Sequence, residues 1–249
     1  MSKFTKELLV SLIDFTSLNN NDNYDVILNL CEKSRNKIGT VAALCVYKDF
    51  VPQCKNHIGA DKNLKDVKVA TVINFPNGNS SLEDTLKELE KSLILGADEI
   101  DVVMPYTYLI NNSDSSYIEN FLKQVRKDCN KTLKVILEVG ELQKESLIRL
   151  ASKIAINEGA DFIKTSTGKV KINSTLEYAK YMLEEIKKSS SSCGFKAAGG
   201  IKTQEEAKAY LQLTEEIMTS SFINNKTFRF GASSLLNNIL DELGDTYNY

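Results

Sequence analysis

Short apolar runs rich in β-branched residues alternate with longer amphipathic stretches from one end of the chain to the other. Read at strand period, the runs fall at 13–16, 41–46, 67–73, 99–104, 133–139, 161–165, 194–198 and 227–231. Most are near-continuously hydrophobic, the pattern of parallel strands covered on both faces. Between them, Leu82, Leu86, Leu89, Leu93 and Ile94 form one helical stripe. Leu147, Leu150, Ala151 and Ile154 form a second, and Leu176, Ala179, Met182, Leu183 and Ile186 a third. Leu235, Leu236, Ile239, Leu240 and Leu243 close the chain with a fourth. Ser80 or Ser81 ahead of Glu83 and Asp84, and Thr203 ahead of Glu205 and Glu206, supply N-caps followed by acidic first turns. Gly96 and Gly159 stand where helix-terminating glycines belong. Eight strand–helix units predict an α/β fold, a single (β/α)8 TIM barrel over residues 1–249, a fold that typically takes ~250 residues. The competing open doubly wound sheet would carry a GxGxxG after its first strand or a Walker A motif, and neither occurs.

Composition narrows the classes. Hydrophobic residues make up 42% and charged residues 26%, enough for a sizeable buried core. A net charge of −2 with dispersed basic residues leaves no footprint for nucleic acid or for an anionic membrane. The apolar stretch Leu8, Leu9, Val10, Leu12, Ile13 is bracketed by Glu7 and Asp14 and lacks a small-residue cleavage site. It therefore reads as neither a signal peptide nor a membrane span, and a cytoplasmic protein is the expectation. Cys31, Cys45, Cys54, Cys129 and Cys193 are scattered and odd in number, as reduced, mostly buried thiols are. His57 is the only histidine, which excludes a three-histidine or HExxH metal centre. No metal and no cofactor are expected.

The candidate chemistry lies in charges placed where charge is costly. Lys164 sits inside the apolar strand that opens Phe162-Ile163-Lys164-Thr165-Ser166-Thr167-Gly168-Lys169, Asp101 lies between Ile100 and Val102, and Lys196 between Phe195 and Ala197. Side chains alternate along a strand, so each of the three faces away from its neighbours. If Lys164 and Lys196 share the barrel interior, desolvation and like-charge repulsion lower at least one pKa, and a lysine so lowered attacks carbonyls. A structural ion pair between Asp101 and one lysine is the competing reading, but it does not account for the second lysine. Lys134 and Glu138 share a face of the fifth strand and are candidate auxiliaries, whereas Asp98 and Glu99 are expected at the exposed start of the fourth. Cys45 is expected in the core. Asp14 and Thr16 end the first strand, where they face substrate or serve a cap or loop.

Three segments suit a phosphorylated substrate. Thr167, Gly168 and Lys169 follow the Lys164 strand and combine a hydroxyl, an unhindered backbone and a cation. Ala198-Gly199-Gly200-Ile201-Lys202 and Phe230-Gly231-Ala232-Ser233-Ser234 follow the seventh and eighth strands, the recurrent phosphate site of this fold. There glycines let the backbone approach an anion, and a helix N-terminus with serine hydroxyls completes the cradle.

At these residues the chain resembles the 2-deoxyribose-5-phosphate aldolases, Schiff-base-forming class I aldolases. The resemblance is carried by Leu12-Ile13-Asp14-Phe15-Thr16-Ser17-Leu18-Asn19, Asn74-Phe75-Pro76-Asn77-Gly78-Asn79 and Gly96-Ala97-Asp98-Glu99-Ile100-Asp101-Val102-Val103. It continues through Glu158-Gly159-Ala160-Asp161, the Lys164 octapeptide, Gly194-Phe195-Lys196-Ala197-Ala198-Gly199-Gly200 and Arg229-Phe230-Gly231-Ala232-Ser233-Ser234. It implies that Lys164 forms an imine while Asp101 and Lys196 handle protons. Phosphate contacts are implied around Gly168, Lys169, Gly199, Gly200, Gly231, Ser233 and Ser234, with the C-terminal Tyr249 as a possible auxiliary; Thr167, from its turn, and Asp14, from its strand end, join them as candidates on the reading of the residues alone. The implied substrates are a small sugar phosphate and an aldehyde, the implied assembly a homodimer. Two departures stand out: Lys202 where arginine is frequent, and Thr107 after Pro105-Tyr106 where a basic residue is common. Another class I aldolase or transaldolase with a ketose donor, a metal-free phosphosugar isomerase, and a sugar-phosphate-binding barrel without turnover stay open beside this reading.

Overall fold

The computed structural model describes residues 3–112 and 114–242. In chain order the elements are α1 (Lys6–Ser11), β1 (Ile13–Thr16), α2 (Tyr24–Lys33), β2 (Ala43–Val46), α3 (Val51–Ala60) and β3 (Lys68–Ile73). They continue with α4 (Leu82–Ile94), β4 (Glu99–Val103), α5 (Tyr106–Asn111), α6 (Ser116–Asp128), β5 (Thr132–Ile136), α7 (Val139–Leu142) and α8 (Glu145–Asn157). Then follow β6 (Phe162–Lys164), α9 (Leu176–Ser189), β7 (Gly194–Ala198), α10 (Gln204–Ile217), β8 (Phe228–Ala232) and α11 (Ser234–Asp241). The strands run β1 to β8 in sequence order, all parallel, and β8 pairs back onto β1 to close the barrel.

Alternation along the strands divides the sheet into two unlike faces. Ile100, Val102, Leu133, Val135, Ile163, Phe195, Phe228 and Phe230 are buried in the layer between sheet and helices. Burying one such side chain contributes roughly 1.5–3 kcal/mol. The opposite face carries Asp14, Glu99, Asp101, Lys134, Lys164, Lys196 and Arg229, every one of them buried. Register brings these into contact range: Asp101 lies opposite Lys134, Lys164 opposite Lys196, and Lys196 opposite Arg229. One inward position has to be empty for this packing. A Cβ on Gly194 would come within 2.5 Å of the Phe162 ring, over which the Arg229 guanidinium lies at 5.7 Å.

Helix ends follow the local signals. Ser81, not Ser80, caps α4 by accepting the Asp84 N–H, and Thr203 and Glu206 form a reciprocal capping box on α10. Gly96 and Gly159 take φ of +97° and +84° past the ends of α4 and α8. The apolar stripes overreach at the helix ends. Ile94, the last residue of α4, is 78% exposed, while Leu89 is buried and Leu82, Leu86 and Leu93 are half-buried against the core. Leu150 and Leu176 are also exposed, and Leu243 lies outside the described residues. β5 ends at Ile136 rather than at residue 139. Leu137 and Val139 still donate to the Lys164 and Thr165 carbonyls, but Glu138 turns the chain through a left-handed conformation. No helix among the described residues is long and apolar enough to cross a membrane.

Candidate active site

Asp101 is the hub of the barrel interior. Its Oδ1 accepts from Lys134 Nζ at 2.8 Å, and its Oδ2 accepts from both Lys164 Nζ at 2.9 Å and Lys196 Nζ at 2.8 Å. Lys196 also reaches Asp14 Oδ2 at 2.5 Å, and Arg229 joins Asp14 Oδ1 at 2.5 Å to Glu99 Oε1 at 3.1 Å. Glu99 Oε2 closes the circuit on Lys134 at 2.5 Å. Glu99 is thus a correction to the sequence expectation: it is 3% exposed and belongs to the interior, one pleat below Asp101 on the same strand face. Asp98, beside it, faces outward, pairing with Lys55 and accepting the Val69 N–H. Arg229 was not anticipated as an interior cation. Its spacing of two from Gly231 is the signal that puts both on one face.

Within this directly paired cluster four cations face three carboxylates, so charge balances only when one cation gives up its proton. Burial presses on all three lysines alike, so the number of paired carboxylates decides which one. At Lys164 desolvation pulls the pKa below the usual lysine value and the Lys196 ammonium adds to it, while Asp101 opposes. Burial acts the same way on Lys196 and Lys134, but paired carboxylates outweigh it and hold both above the usual value. Desolvation would raise Asp101 and Asp14, yet the surrounding cations keep both well below the carboxylate range. The arrangement presents a neutral amine beside a fixed carboxylate and a fixed ammonium. That is the set of groups needed for attack on a carbonyl and for moving a proton afterwards.

A cavity of about 220 Å³ opens above Lys164 at the C-terminal ends of the strands. The predicted residues Thr167, Gly168, Lys169, Gly199, Gly200, Gly231, Ser233 and Ser234 all line it, with Lys202 and Thr16. Gly199 and Gly200 adopt φ of +85° and +88°, a region that side-chain-bearing residues seldom occupy. Among the described residues, the N–H groups of Gly168, Gly199 and Gly200 meet no protein acceptor. Ser233, at the N-cap of α11, makes no side-chain capping bond. These free donors at one end of the cavity suit an anion.

Other predicted residues divide between the cavity and its support. Thr16 donates its hydroxyl to the Asp14 carbonyl, Asp14 belongs to the ion cluster, and Cys45 is fully buried on the inner face of β2. Lys169 lines the cavity but holds the Leu18 carbonyl at 2.6 Å, and Tyr47 donates to the same oxygen at 3.2 Å. Thr167 lines it too, but both of its donors turn to Glu138. Glu138 is fully buried at φ +56°, a conformation that costs a non-glycine residue roughly 1–3 kcal/mol and is found where surrounding contacts impose it. Burial lifts its carboxyl above the ordinary glutamate value. Tyr249 lies outside the described residues.

The profile of the DeoC/LacD family aldolases matches residues 9–240. Among solved structures, one from Coccidioides immitis, provisionally assigned as a deoxyribose-phosphate aldolase, aligns at 26% identity and a TM-score of 0.81. That alignment covers 93% of this chain and 85% of the other. An aldolase named QR15 aligns at 27% identity and a TM-score of 0.78, covering 95% and 96%. The deoxyribose phosphate aldolase of Aeropyrum pernix, described as tetrameric, shares the fold at 23% identity and a TM-score of 0.73, covering 96% and 92%.

Proposed function

The chain belongs to the DeoC/LacD family aldolases, and on that premise we propose that it reversibly cleaves 2-deoxy-D-ribose 5-phosphate to D-glyceraldehyde 3-phosphate and acetaldehyde through an imine on Lys164. The observation that carries the reading is Lys164 itself: buried, lowered in pKa, held on Asp101 beside Lys196, and facing a cavity whose far end offers unpaired N–H donors.

Neutral Lys164 Nζ attacks the C1 aldehyde carbon, and the carbinolamine takes a proton from the Lys196 ammonium and loses water to give a protonated imine. The C3 hydroxyl then gives its proton to Asp101, directly or through a water. The C2–C3 bond breaks, its electron pair flows into the imine, and glyceraldehyde 3-phosphate leaves an enamine on the lysine. Returning that proton to C2 and adding water across the imine releases acetaldehyde, restores the amine and gives the borrowed proton back to Lys196, so no proton or electron is left over. Lys196 keeps the Asp101 carboxylate oriented and Lys164 short of a proton. The glycine loops and Ser233 and Ser234 anchor the phosphate, so remote binding energy places C1 over the nucleophile.

Borohydride reduction in the presence of acetaldehyde tests the assignment. A two-carbon adduct is expected on Lys164 by peptide mass mapping. Labelling confined to Lys196 reverses the roles, and absence of labelling rejects the imine. A substrate panel that favours a ketose donor over 2-deoxyribose 5-phosphate replaces the substrate and keeps the chemistry.

A further inference from the structure

We propose that Glu138 is a positioning residue for the phosphate end of the substrate, fixing the Thr167-Gly168-Lys169 turn that faces it; the proposal rests on the sugar-phosphate reading above. The geometry is a chain of three links. Both Glu138 carboxylate oxygens lie 3.3 Å from the Thr167 N–H, and Oε2 accepts the Thr167 hydroxyl at 2.5 Å. The hydroxyl has a single proton, so its remaining capacity is as an acceptor. It takes the Lys169 N–H at 3.0 Å. The polarity of the turn is thereby set: Thr167 and Lys169 point their donors into the protein, and Gly168 between them, at φ +82°, keeps its N–H unpaired beside the cavity.

The far side of the turn is pinned as well. Lys169 Nζ holds the Leu18 carbonyl at 2.6 Å, so the turn is fastened to the end of β5 on one side and to the loop after β1 on the other. Glu138 is itself held. Its neighbours Leu137 and Val139 donate to the Lys164 and Thr165 carbonyls, and a Cβ on Gly140 would sit 1.7 Å from the Ile172 oxygen. The β5 extension and the loop after β6 are thus in backbone contact, and Glu138 is wedged between them. It forms no ion pair among the described residues; its carboxylate is committed to Thr167. A group in charge of the turn, rather than of the imine, has one distinguishing consequence. Its loss should be felt by phosphorylated ligands and not by unphosphorylated ones.

The experiment compares wild type with Glu138→Gln on 2-deoxyribose 5-phosphate and on 2-deoxyribose, and measures inorganic phosphate binding by calorimetry. A neutral amide accepts through one oxygen and without charge, so both Thr167 bonds weaken. KM for the phosphorylated sugar should therefore rise roughly tenfold, the loss of about one charge-assisted hydrogen bond. Its kcat should stay within about twofold while kcat/KM for 2-deoxyribose holds. Glu138→Asp, which keeps a carboxylate but shortens its reach to Thr167, should give the same pattern more weakly and carries the test if Glu138→Gln does not fold. Equal losses on both sugars, or a fall in kcat alone, overturn the proposal. If wild type turns over neither sugar, the functional reading fails first. The positioning role is then decided by phosphate binding alone: weaker in the variants supports it, unchanged overturns it.

Discussion

Lys164 and Lys196 are bound to the same oxygen, Oδ2 of Asp101, at 2.9 and 2.8 Å. Sharing one acceptor means that neither ammonium is fully neutralised by it, and the lysine without a second carboxylate is the one short of a proton. Lys196 has Asp14 as that second partner, whereas Lys164 has none among the described residues.

Replacing Lys196 with Leu should therefore do two things. Turnover should fall at least ~100-fold, as removal of a group from proton-transfer machinery does. The acid limb of the pH–rate profile should also move to higher pH. Lys164 would have Asp101 Oδ2 to itself and no ammonium beside it, so its pKa rises and more of it is protonated at neutral pH. An acid limb that stays in place would return Lys196 to a purely structural role.

Glu99 acts from the opposite side of the cluster. Glu99→Gln leaves Arg229 and Lys134 each short of a carboxylate, at a stability cost of about 3 kcal/mol, the low end for breaking a buried ion pair. The cluster also becomes more positive, which disfavours a proton on Lys164, so the acid limb should move to lower pH, opposite to Lys196→Leu. Chemical denaturation and a pH–rate profile on the same variant read both effects. A shift in the same direction as Lys196→Leu would show that the two ends of the cluster do not share charge.

Much of this was legible in the chain. Parallel strands announce themselves as apolar runs, and Asp101, Lys164 and Lys196 stood out because a charge between two apolar neighbours is costly. Glu99 escaped because Asp98 beside it makes the pair look like a solvated strand start. Only the two-residue spacing to Asp101 places it inward. Ile94 misled in the other direction, since periodicity does not tell where a helix leaves the barrel. Contacts such as Lys169 to the Leu18 carbonyl join residues 151 positions apart and depend on barrel closure, which no local pattern encodes. Nor could the sequence reveal that Thr167 spends its donors on Glu138. The residue type fits a ligand contact equally well.

The buried carboxylates set how the fold responds to acid. Asp14 and Asp101 are held well below their unfolded values, near ~3.9. Their contribution is fully present above that pH and is lost as the pH falls through their folded values. Lys134 and Lys196 are shifted upward, so their contribution holds below ~10.4 and fades only above it. Lys164 is shifted the other way and opposes them. Urea unfolding should give a midpoint plateau that slopes upward toward about pH 9, where the unfolded chain still protonates Lys164 and the folded one does not, and a steep loss below about pH 4. Asp14→Asn should lower the plateau and flatten the acid limb. An equally steep acid limb in that variant would place the acid sensitivity elsewhere.

Gly231 offers a way to move Lys196 without touching its charge. The residue lies on β8 with an ordinary backbone conformation, so alanine is permitted there by φ and excluded only by space. An added Cβ would meet the Ala198 Cβ at 2.9 Å and the Lys196 Cε at 3.0 Å. Ala198 is fixed by its backbone, so the lysine stem is what gives way, carrying Nζ off Asp101 and Asp14. Overpacking of this size costs about 1–3 kcal/mol, which a barrel with this core should survive folded. Gly231→Ala should thus lower kcat and shift the acid limb upward as Lys196→Leu does, though by less, with the ammonium still present. Because Gly231 also lines the phosphate end of the cavity, KM for the phosphorylated sugar would rise as well. The diagnostic readout is therefore the acid limb, not KM. A change confined to KM would mean that Lys196 stays in place and the methyl group only crowds the ligand.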